Sequence, residues 1–445
     1  MATDKDVETL ATRARRRISR RLLPFLLLLF VLAFLDRTNI AVASIGMKSD
    51  LGFTEAVIGT GAGIFFLGYF LLEIPGTLIV ERWSARKWIA RIMVTWGMIA
   101  SLMGFIGMPI FGFLHIQSQF YSLRFILGLA EAGFFPGVIV YLTHWFRYED
   151  RARTKSLFLI GVPLATIVST PLSQWILHSV NWAGLTGWRW VFLLEGLPSI
   201  AMGIVTWFYL TDRPEQAKWL PDDEKAWIVE ELNREHQSKV SRGGESILNG
   251  LKNPQIWLLT AIYFLAVTGM YGFTFFLPSI VDRMKGVSIS AQTLISTMPF
   301  VLALIAILLN ASHSDRTLER RWHTAVPLLF GGGAMGLTAY FASNTILASL
   351  FMCFLGLTLG YLPVFWTHPS TRLTASSAAF AIGLINSVGN LGGFVGPKFV
   401  GELKTQSGNY ESGLWFLAGC IFLAGLLAML LSSPKKTQDS TTVIT

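Results

Sequence analysis

Charge is scarce in this chain and cysteine nearly absent. Only 14% of the 445 residues are Asp, Glu, Lys or Arg, against 52% hydrophobic, and the mean hydropathy is +0.52. Water-soluble domains carry roughly 25% charged residues, so an aqueous fold is excluded and most of the chain is solvated by lipid. The two cysteines, Cys353 and Cys420, both lie inside apolar runs, which leaves no disulfide framework and no CxxC metal or redox site. No HExxH, GxSxG or paired membrane Asp motif occurs, so an enzyme is not expected and no metal or cofactor is required. A net charge of +9 could suit nucleic acid, but the basic residues sit between the apolar runs, so no nucleic-acid partner is expected.

What is present is a long series of apolar runs. A hydrocarbon core about 30 Å thick takes about twenty residues of helix, and runs of that size fall near 22–45, 55–80, 88–111, 117–146, 155–178 and 188–210. A second set follows near 254–281, 289–311, 322–342, 345–368, 376–398 and 410–432. The first run exceeds a signal-peptide core and no A-x-A-like site follows it, so it is read as a retained span. The pattern predicts an all-α membrane protein with twelve transmembrane helices in two six-helix bundles, 22–210 and 254–432. Around them lie an N-terminal tail at 1–21, a polar linker at 211–253 with some amphipathic helix, and a C-terminal tail at 433–445.

Positive charge sets the orientation, because short cytoplasmic loops keep Lys and Arg. One side holds the Arg-rich N-terminus, Arg82, Arg86 and Lys87, then Arg147, Arg151, Arg153 and Lys155, the linker, Arg316, Arg320 and Arg321, and finally Lys435 and Lys436. The other holds little beyond Lys48, Arg283, Lys285, Lys398 and Lys404. Both termini are therefore expected in the cytoplasm, in a multi-pass protein of the cell's inner membrane. An internal repeat supports two halves: Glu81-Arg82, three residues, Arg86-Lys87 after the second span, and Asp315-Arg316, three residues, Arg320-Arg321 after the eighth, an offset of 234. Charge clusters at these matching loops suit gate elements, with Glu81, Arg82, Arg86, Asp315, Arg316 and Arg320 pairing in one conformation only.

Charged residues inside the spans point to function, because each costs at least about 2.5–3.5 kcal/mol near the bilayer centre unless paired or hydrated. Asp36 and Arg37 lie roughly fifteen residues, about 22 Å, into the first span. Adjacent helix positions diverge by about 100°, so one is expected to face a cavity and the other a neighbouring helix. Arg124 and Glu131, seven apart in the fourth span, share a face, and Ala130, Ala132, Gly133 and Gly137 beside them allow close helix approach. An arginine can fork onto a carboxylate, and burial or a nearby arginine shifts a carboxyl's protonation, which offers a route to proton coupling. Tyr69, Tyr271, Trp366, Thr367, Asn386 and Asn390 could line the cavity, whereas Glu73 and Glu195 read better as helix-end or packing residues.

Twelve spans in two halves with these charged loops resemble the major facilitator superfamily. The runs Leu35-Asp36-Arg37-Thr38-Asn39, Arg124 to Gly137, Gly187-Trp188-Arg189-Trp190, Asn386 to Gly393 and Leu210-Thr211-Asp212-Arg213-Pro214 look like its anion:cation symporter family. The resemblance implies proton-coupled uptake of a small organic anion by alternating access, with substrate, protons and the bilayer as partners, in a monomer. Carried over by position, Arg37 clamps a substrate carboxylate, with Tyr69, Tyr271, Trp366 and Asn386 as further substrate contacts. Asp36 and Glu131 are the protonatable pair, and Arg124 biases their protonation or closes a gate. Phe34 stands where many members have Tyr. A tartrate-like hydroxy-dicarboxylate is favoured. Aromatic carboxylates such as phthalate or hydroxyphenylacetate come next, then sugar acids. Proton-driven export of a drug or metabolite is the reading from another class.

Overall fold

The computed structural model describes residues 4–240, 253–284, 286–369 and 375–431, the side chains of 4–8, 74, 77–79, 81–82, 148–149, 151–157, 236, 238–240 and 375–380 excepted. Among them lie sixteen α-helices and no strand, as a chain with no water to satisfy its backbone requires. In chain order they are α1 (Asp4–Leu51), α2 (Glu55–Arg82), α3 (Ala85–Leu102), α4 (Ile116–Glu131), α5 (Phe134–Thr143), α6 (Tyr148–Ser179), α7 (Gly187–Tyr209) and α8 (Asp222–Val240). Then come α9 (Pro254–Asp282), α10 (Ile289–Thr317), α11 (Arg321–Tyr340), α12 (Thr345–Leu355), α13 (Tyr361–Phe365), α14 (Ala375–Asn390), α15 (Gly392–Ser407) and α16 (Glu411–Ala428).

Ten helical stretches among the described residues are long and apolar enough to cross a membrane. The fourth is α4 continued by α5, and the one at Thr345–Phe365 joins α12 to α13 through a 3-10 stretch at Gly356–Gly360. Helix α11 and the α14–α15 pair complete twelve. They are less apolar because glycine and asparagine interrupt them: Gly331, Gly332, Gly333 and Gly336 in one, Asn386, Gly389, Asn390, Gly392 and Gly393 in the other.

Two separate apolar cores divide the helices into halves. One joins Ile18 to Ile228 through α1–α8 and the other Ile256 to Leu431 through α9–α16; Phe275 reaches into the first, against which Tyr271 and Phe394 also pack, and Leu159, Ile160 and Ile167 pack against the second. Because lipid is as apolar as a leucine core, burial alone does not hold membrane helices together. Close backbone packing and buried polar bonds do. Glycine supplies the closeness: a Cβ on Gly128 of α4 would lie 2.0 Å from the Phe65 carbonyl oxygen of α2, and one on Gly68 2.2 Å from that of Phe125. The halves meet where α1 crosses α9, α6 crosses α10, and α2 packs on α14 and α15.

The segment expected as an N-terminal tail at 1–21 is helical from Asp4 and continuous with the first span. Its arginines dock α8 of the linker, Arg13 to Asp223 at 3.0 Å and Arg17 to Glu224 at 2.9 Å. Arg147 at the start of α6 adds a 3.1 Å bond to Glu231. The linker thereby ties α1 to α6 at the end of the first half that bears its basic loops.

Candidate transport site

Asp36 and Arg37 leave α1 in different directions, as adjacent helical positions must. Asp36 turns into the first half, where one oxygen accepts from Trp96 Nε1 at 2.7 Å and Ser199 Oγ at 2.6 Å and the other from Asn39 at 3.5 Å. Arg37 turns to the interface between the halves. Its guanidinium donates to Glu131, the last residue of α4, and at 3.2 Å to the Tyr271 hydroxyl of α9. The rings of Phe34, Phe65 and Tyr69 surround it at 4.9, 5.3 and 5.2 Å, a cation–π cage that tolerates the charge in a dry setting. The Arg37 Nε has no partner.

Glu131 is presented by a break in its span. Gly133, at φ +84°, separates α4 from α5, a left-handed conformation that glycine adopts without steric cost. Arg124, two turns earlier, is fully buried but bonds the α2 carbonyls of Gly61 at 3.0 Å and Ala62 at 3.2 Å. It clamps α4 to α2 and is not in hydrogen-bonding contact with Glu131.

A second contact between the halves joins Glu73 of α2 to Asn386 and Ser387 of α14, the latter at 3.0 Å. Trp366 lies next to α13 against Tyr263 of α9, their rings 5.1 Å apart, and Tyr263 stacks on Phe365 at 5.4 Å. Between the halves lies a separate cavity of about 10 Å³, lined by hydroxyl residues, among them Thr38, Ser169, Thr170 and Ser173 from the first half and Thr274 and Ser296 from the second, and by apolar ones such as Val42, Leu277 and Phe300. It holds about one water molecule.

The end of the molecule carrying Leu51 and Glu55 is sealed. One oxygen of Glu55, in the first turn of α2, accepts from Lys48 at 3.0 Å, from Arg283 at the end of α9 at 3.0 Å, and from Tyr410 at 2.6 Å. Lys48 also donates to Ser279 at 3.0 Å, and Thr405 accepts from the Ala56 N–H at 3.0 Å. No room remains between the helices here: a Cβ on Gly59 would lie 2.2 Å from the Pro397 carbonyl oxygen, and one on Gly401 2.3 Å from that of Glu55.

At the opposite end Ser84 caps α3 by accepting from the Lys87 N–H and donates at 2.7 Å to Asp212, which also takes the Arg86 N–H at 2.9 Å and lies 3.7 Å from its guanidinium. In the second half Arg320 donates to Asp315 at 2.7 Å and Ser314 at 2.9 Å, while Arg316 is exposed. The Ser84 and Arg86 contacts tie the first half to Asp212 at the start of the linker, and those of Arg320 stay within the second half. The side chains of Glu81 and Arg82 lie outside the described residues.

Of the residues singled out in the sequence, Arg37, Glu131, Tyr69 and Tyr271 meet at one point, whereas Asp36 and Arg124 face neighbouring helices and Asn386 faces Glu73. Sequence reasoning passed over Glu55, Tyr263, Tyr410 and the bridging role of Glu73. Lys48 and Arg283, basic residues on the side that should be poor in them, were the one available signal for the seal.

Residues 26–397 match the model of the Major Facilitator Superfamily. The chain belongs to this superfamily. It is 42% identical over 430 residues to a protein of Agrobacterium vitis described as a candidate tartrate transporter, covering 95% of each. It is 36% identical to a quinolone resistance transporter of Acinetobacter baumannii, covering 96% of this chain and 97% of that one. The inward-open xylose transporter XylE of E. coli superposes with a TM-score of 0.73 at 14% identity, over 94% of this chain and 97% of that one, which carries the fold alone. The superfamily member described here is a multi-pass membrane transporter of small molecules and not an enzyme.

Proposed function

We propose that the protein takes up a small organic anion, a tartrate-like hydroxy-dicarboxylate, together with protons, by alternating access. The observation that carries this reading is Arg37, buried at the interface and bonded to both halves at once through Glu131 and Tyr271. A substrate carboxylate arriving there competes with Glu131 for the guanidinium and can take it bidentately. Glu131, displaced and without its cation in a dry site, takes up a proton. Anion binding and proton uptake are thereby one event, with Asp36 as the second acid and Arg124 holding the helix that presents Glu131. Hydroxyls of Thr38, Ser169 and Thr170 lie at the same interface between the halves and suit the hydroxyls of a hydroxy acid, and Tyr69 and Tyr271 supply phenols in place of the tyrosine that Phe34 replaces.

Residues 22–210 and 254–432 are the two bodies that rock, with the linker and both termini in the cytoplasm of a bacterial inner membrane and one chain as the working unit. In this orientation the Glu55 seal faces outward and the arginine loops face the cytoplasm. The relative from Agrobacterium vitis supports tartrate as the first acid to try.

Binding tests this reading directly. Thermal stabilisation of the purified protein is expected with tartrate ahead of phthalate, galactonate or hydroxyphenylacetate, and no acid should stabilise Arg37→Ala. Equal stabilisation of wild type and Arg37→Ala would remove Arg37 from the site. The quinolone resistance relative favours a second reading, proton-driven export. It predicts that an inward proton gradient expels the ligand from vesicles instead of accumulating it.

A further inference from the structure

Helix α7 carries a second buried acid, Glu195, which the transport reading does not use. It is 2% exposed, its Oε1 accepts a 2.6 Å bond from Ser173 of α6, and its Oε2 has no partner. Asn39 of α1 lies within hydrogen-bonding reach of it. Asn39 also donates to Asp36, and its own side-chain oxygen is buried without a partner. No basic group lies within ion-pair distance of Glu195 or Asp36 among the described residues, and Asp36 is the one other ionisable group that bears on Glu195. Helix α3 brings only Trp96, bonded to Asp36, and Ser101, packed on Gly196.

The two acids differ in what they receive. Asp36 takes three donors, Trp96, Ser199 and Asn39, which is the environment of a carboxylate. Glu195 has Ser173 on one oxygen and the Asn39 side chain within reach, yet its other oxygen is bare, as is the Asn39 side-chain oxygen, which is an environment that a hydrogen on the carboxyl would complete. Two orphaned buried acceptors in one cluster are costly; a proton on Glu195 Oε2 removes the first, and sharing it with the Asn39 side chain that lies within reach removes the second. Ser173 also lines the small cavity between the halves that Thr38 and Ser169 share, so a polar line runs from that cavity through Ser173 to Glu195, Asn39 and Asp36.

We propose that Glu195 is a further proton-carrying residue of this transporter, holding its proton against Asn39 and exchanging it with the central cavity through the Ser173 hydroxyl. In loading, a hydronium in the cavity gives a proton to Ser173 Oγ and is left as water, while the serine's own proton passes to Glu195 Oε1, so the O–H bond broken on serine is replaced by the one formed; rotation of the carboxyl then turns the new O–H from Ser173 toward Asn39. Unloading is the reverse. The role in transport rests on the proton-coupled reading above, whereas proton occupancy does not, and the two are separable by experiment.

Infrared spectroscopy of the purified protein in lipid, with H/D exchange, reads protonated carboxyls directly. Wild type at neutral pH should show a deuterium-sensitive carboxylic C=O band that is absent in Glu195→Gln, retained in Glu131→Gln and restored at a shifted position in Glu195→Asp. Persistence of the whole band in Glu195→Gln would overturn the proposal. Should Glu195→Gln fail to fold, Ser173→Ala decides: its carboxyl band should exchange with deuterium at least about tenfold more slowly, and an unchanged rate would overturn the route. In vesicles, Ser173→Ala should lower the ratio of gradient-driven uptake to counterflow, and an unaltered ratio would remove Glu195 from coupling. If wild type accumulates no acid at all, the transport reading fails while the infrared result still stands on its own.

Discussion

Arg37 and Tyr271, 234 positions apart, meet at 3.2 Å across the two halves. That separation equals the offset of the repeated charged loops, so the two residues occupy equivalent places in the first helix of each half. The contact lies where the two halves' symmetry brings α1 and α9 together, which is where a solute must be held if both halves are to move around it. Arg37→Ala is expected to abolish binding and transport, and Arg37→Lys to keep the charge but lose the fork. Tyr271→Phe removes one neutral donor and should weaken substrate binding by about 0.5–1.5 kcal/mol, up to roughly tenfold in Kd. Titration calorimetry with the substrate checks all three.

Glu131 is held by Arg37 in this state, so replacing its charge while keeping its shape separates binding from coupling. Glu131→Gln should still bind substrate and exchange it between two sides at equal pH, yet fail to concentrate it against a gradient. Concentrative uptake by this variant under an inward proton gradient would show that the coupling acid lies elsewhere.

The seal at Glu55 gathers Lys48, Arg283 and Tyr410 on one oxygen. Charge-assisted bonds of this kind contribute about 1.5–3 kcal/mol each, enough to shift a two-state equilibrium by more than tenfold. Glu55→Gln is therefore expected to populate the state open at that end. With Cys353 and Cys420 replaced, a Ser44→Cys reporter, whose native hydroxyl lies 3.4 Å from that of Ser279, should label faster from the outer face in the Glu55→Gln background. Equal labelling rates would mean that the glycine packing, and not the charge, holds the seal.

Gly128 sits where α4 touches α2, with only 2.0 Å between an added Cβ and a backbone oxygen. Backbone cannot step aside as a flexible side chain can, so Gly128→Ala should destabilise the first half by about 1–3 kcal/mol. A lowered melting temperature in detergent checks this, with Gly419→Ala, which meets nothing within 4 Å, as the neutral comparison.

Glu319, in the loop between α10 and α11, accepts from the Trp322 N–H at 2.8 Å and the His323 N–H at 3.2 Å. Partial burial raises its carboxyl, but these backbone donors and His323 outweigh it and hold the group below the usual glutamate range. A depressed folded value means that this stabilisation is present above the unfolded glutamate value and lost as pH falls through the folded one. Glu319→Ala should cost about 1 kcal/mol at pH 7, as loss of a helix N-cap does, and less at pH 3. Melting curves at the two pH values test it.

The fold was legible because apolar length is a local property: twenty residues either can cross a bilayer or cannot. The two places where hydropathy alone falters, α11 and α14–α15, carry the glycines and asparagines that let helices touch there. Arg37 and Asp36 stood out as charges far inside a span, and the 100° turn between them anticipated that they would part. Other features were not legible, because they depend on which helices become neighbours. Glu73 looks like a helix-end residue until α14 brings Asn386 and Ser387 to it. Arg124 and Glu131 share a face of α4, but the short Gly61–Ala62 stretch of α2 captures the arginine. Glu195 gains meaning only from Asn39 and Ser173, which come from two other helices.

Uptake of labelled tartrate by proteoliposomes, with and without an imposed inward proton gradient, tests the central claim most directly. The account predicts accumulation above the external concentration that collapses when the gradient is dissipated and is absent in Arg37→Ala. Gradient-driven loss of tartrate from the vesicles, or uptake indifferent to the gradient, would contradict it.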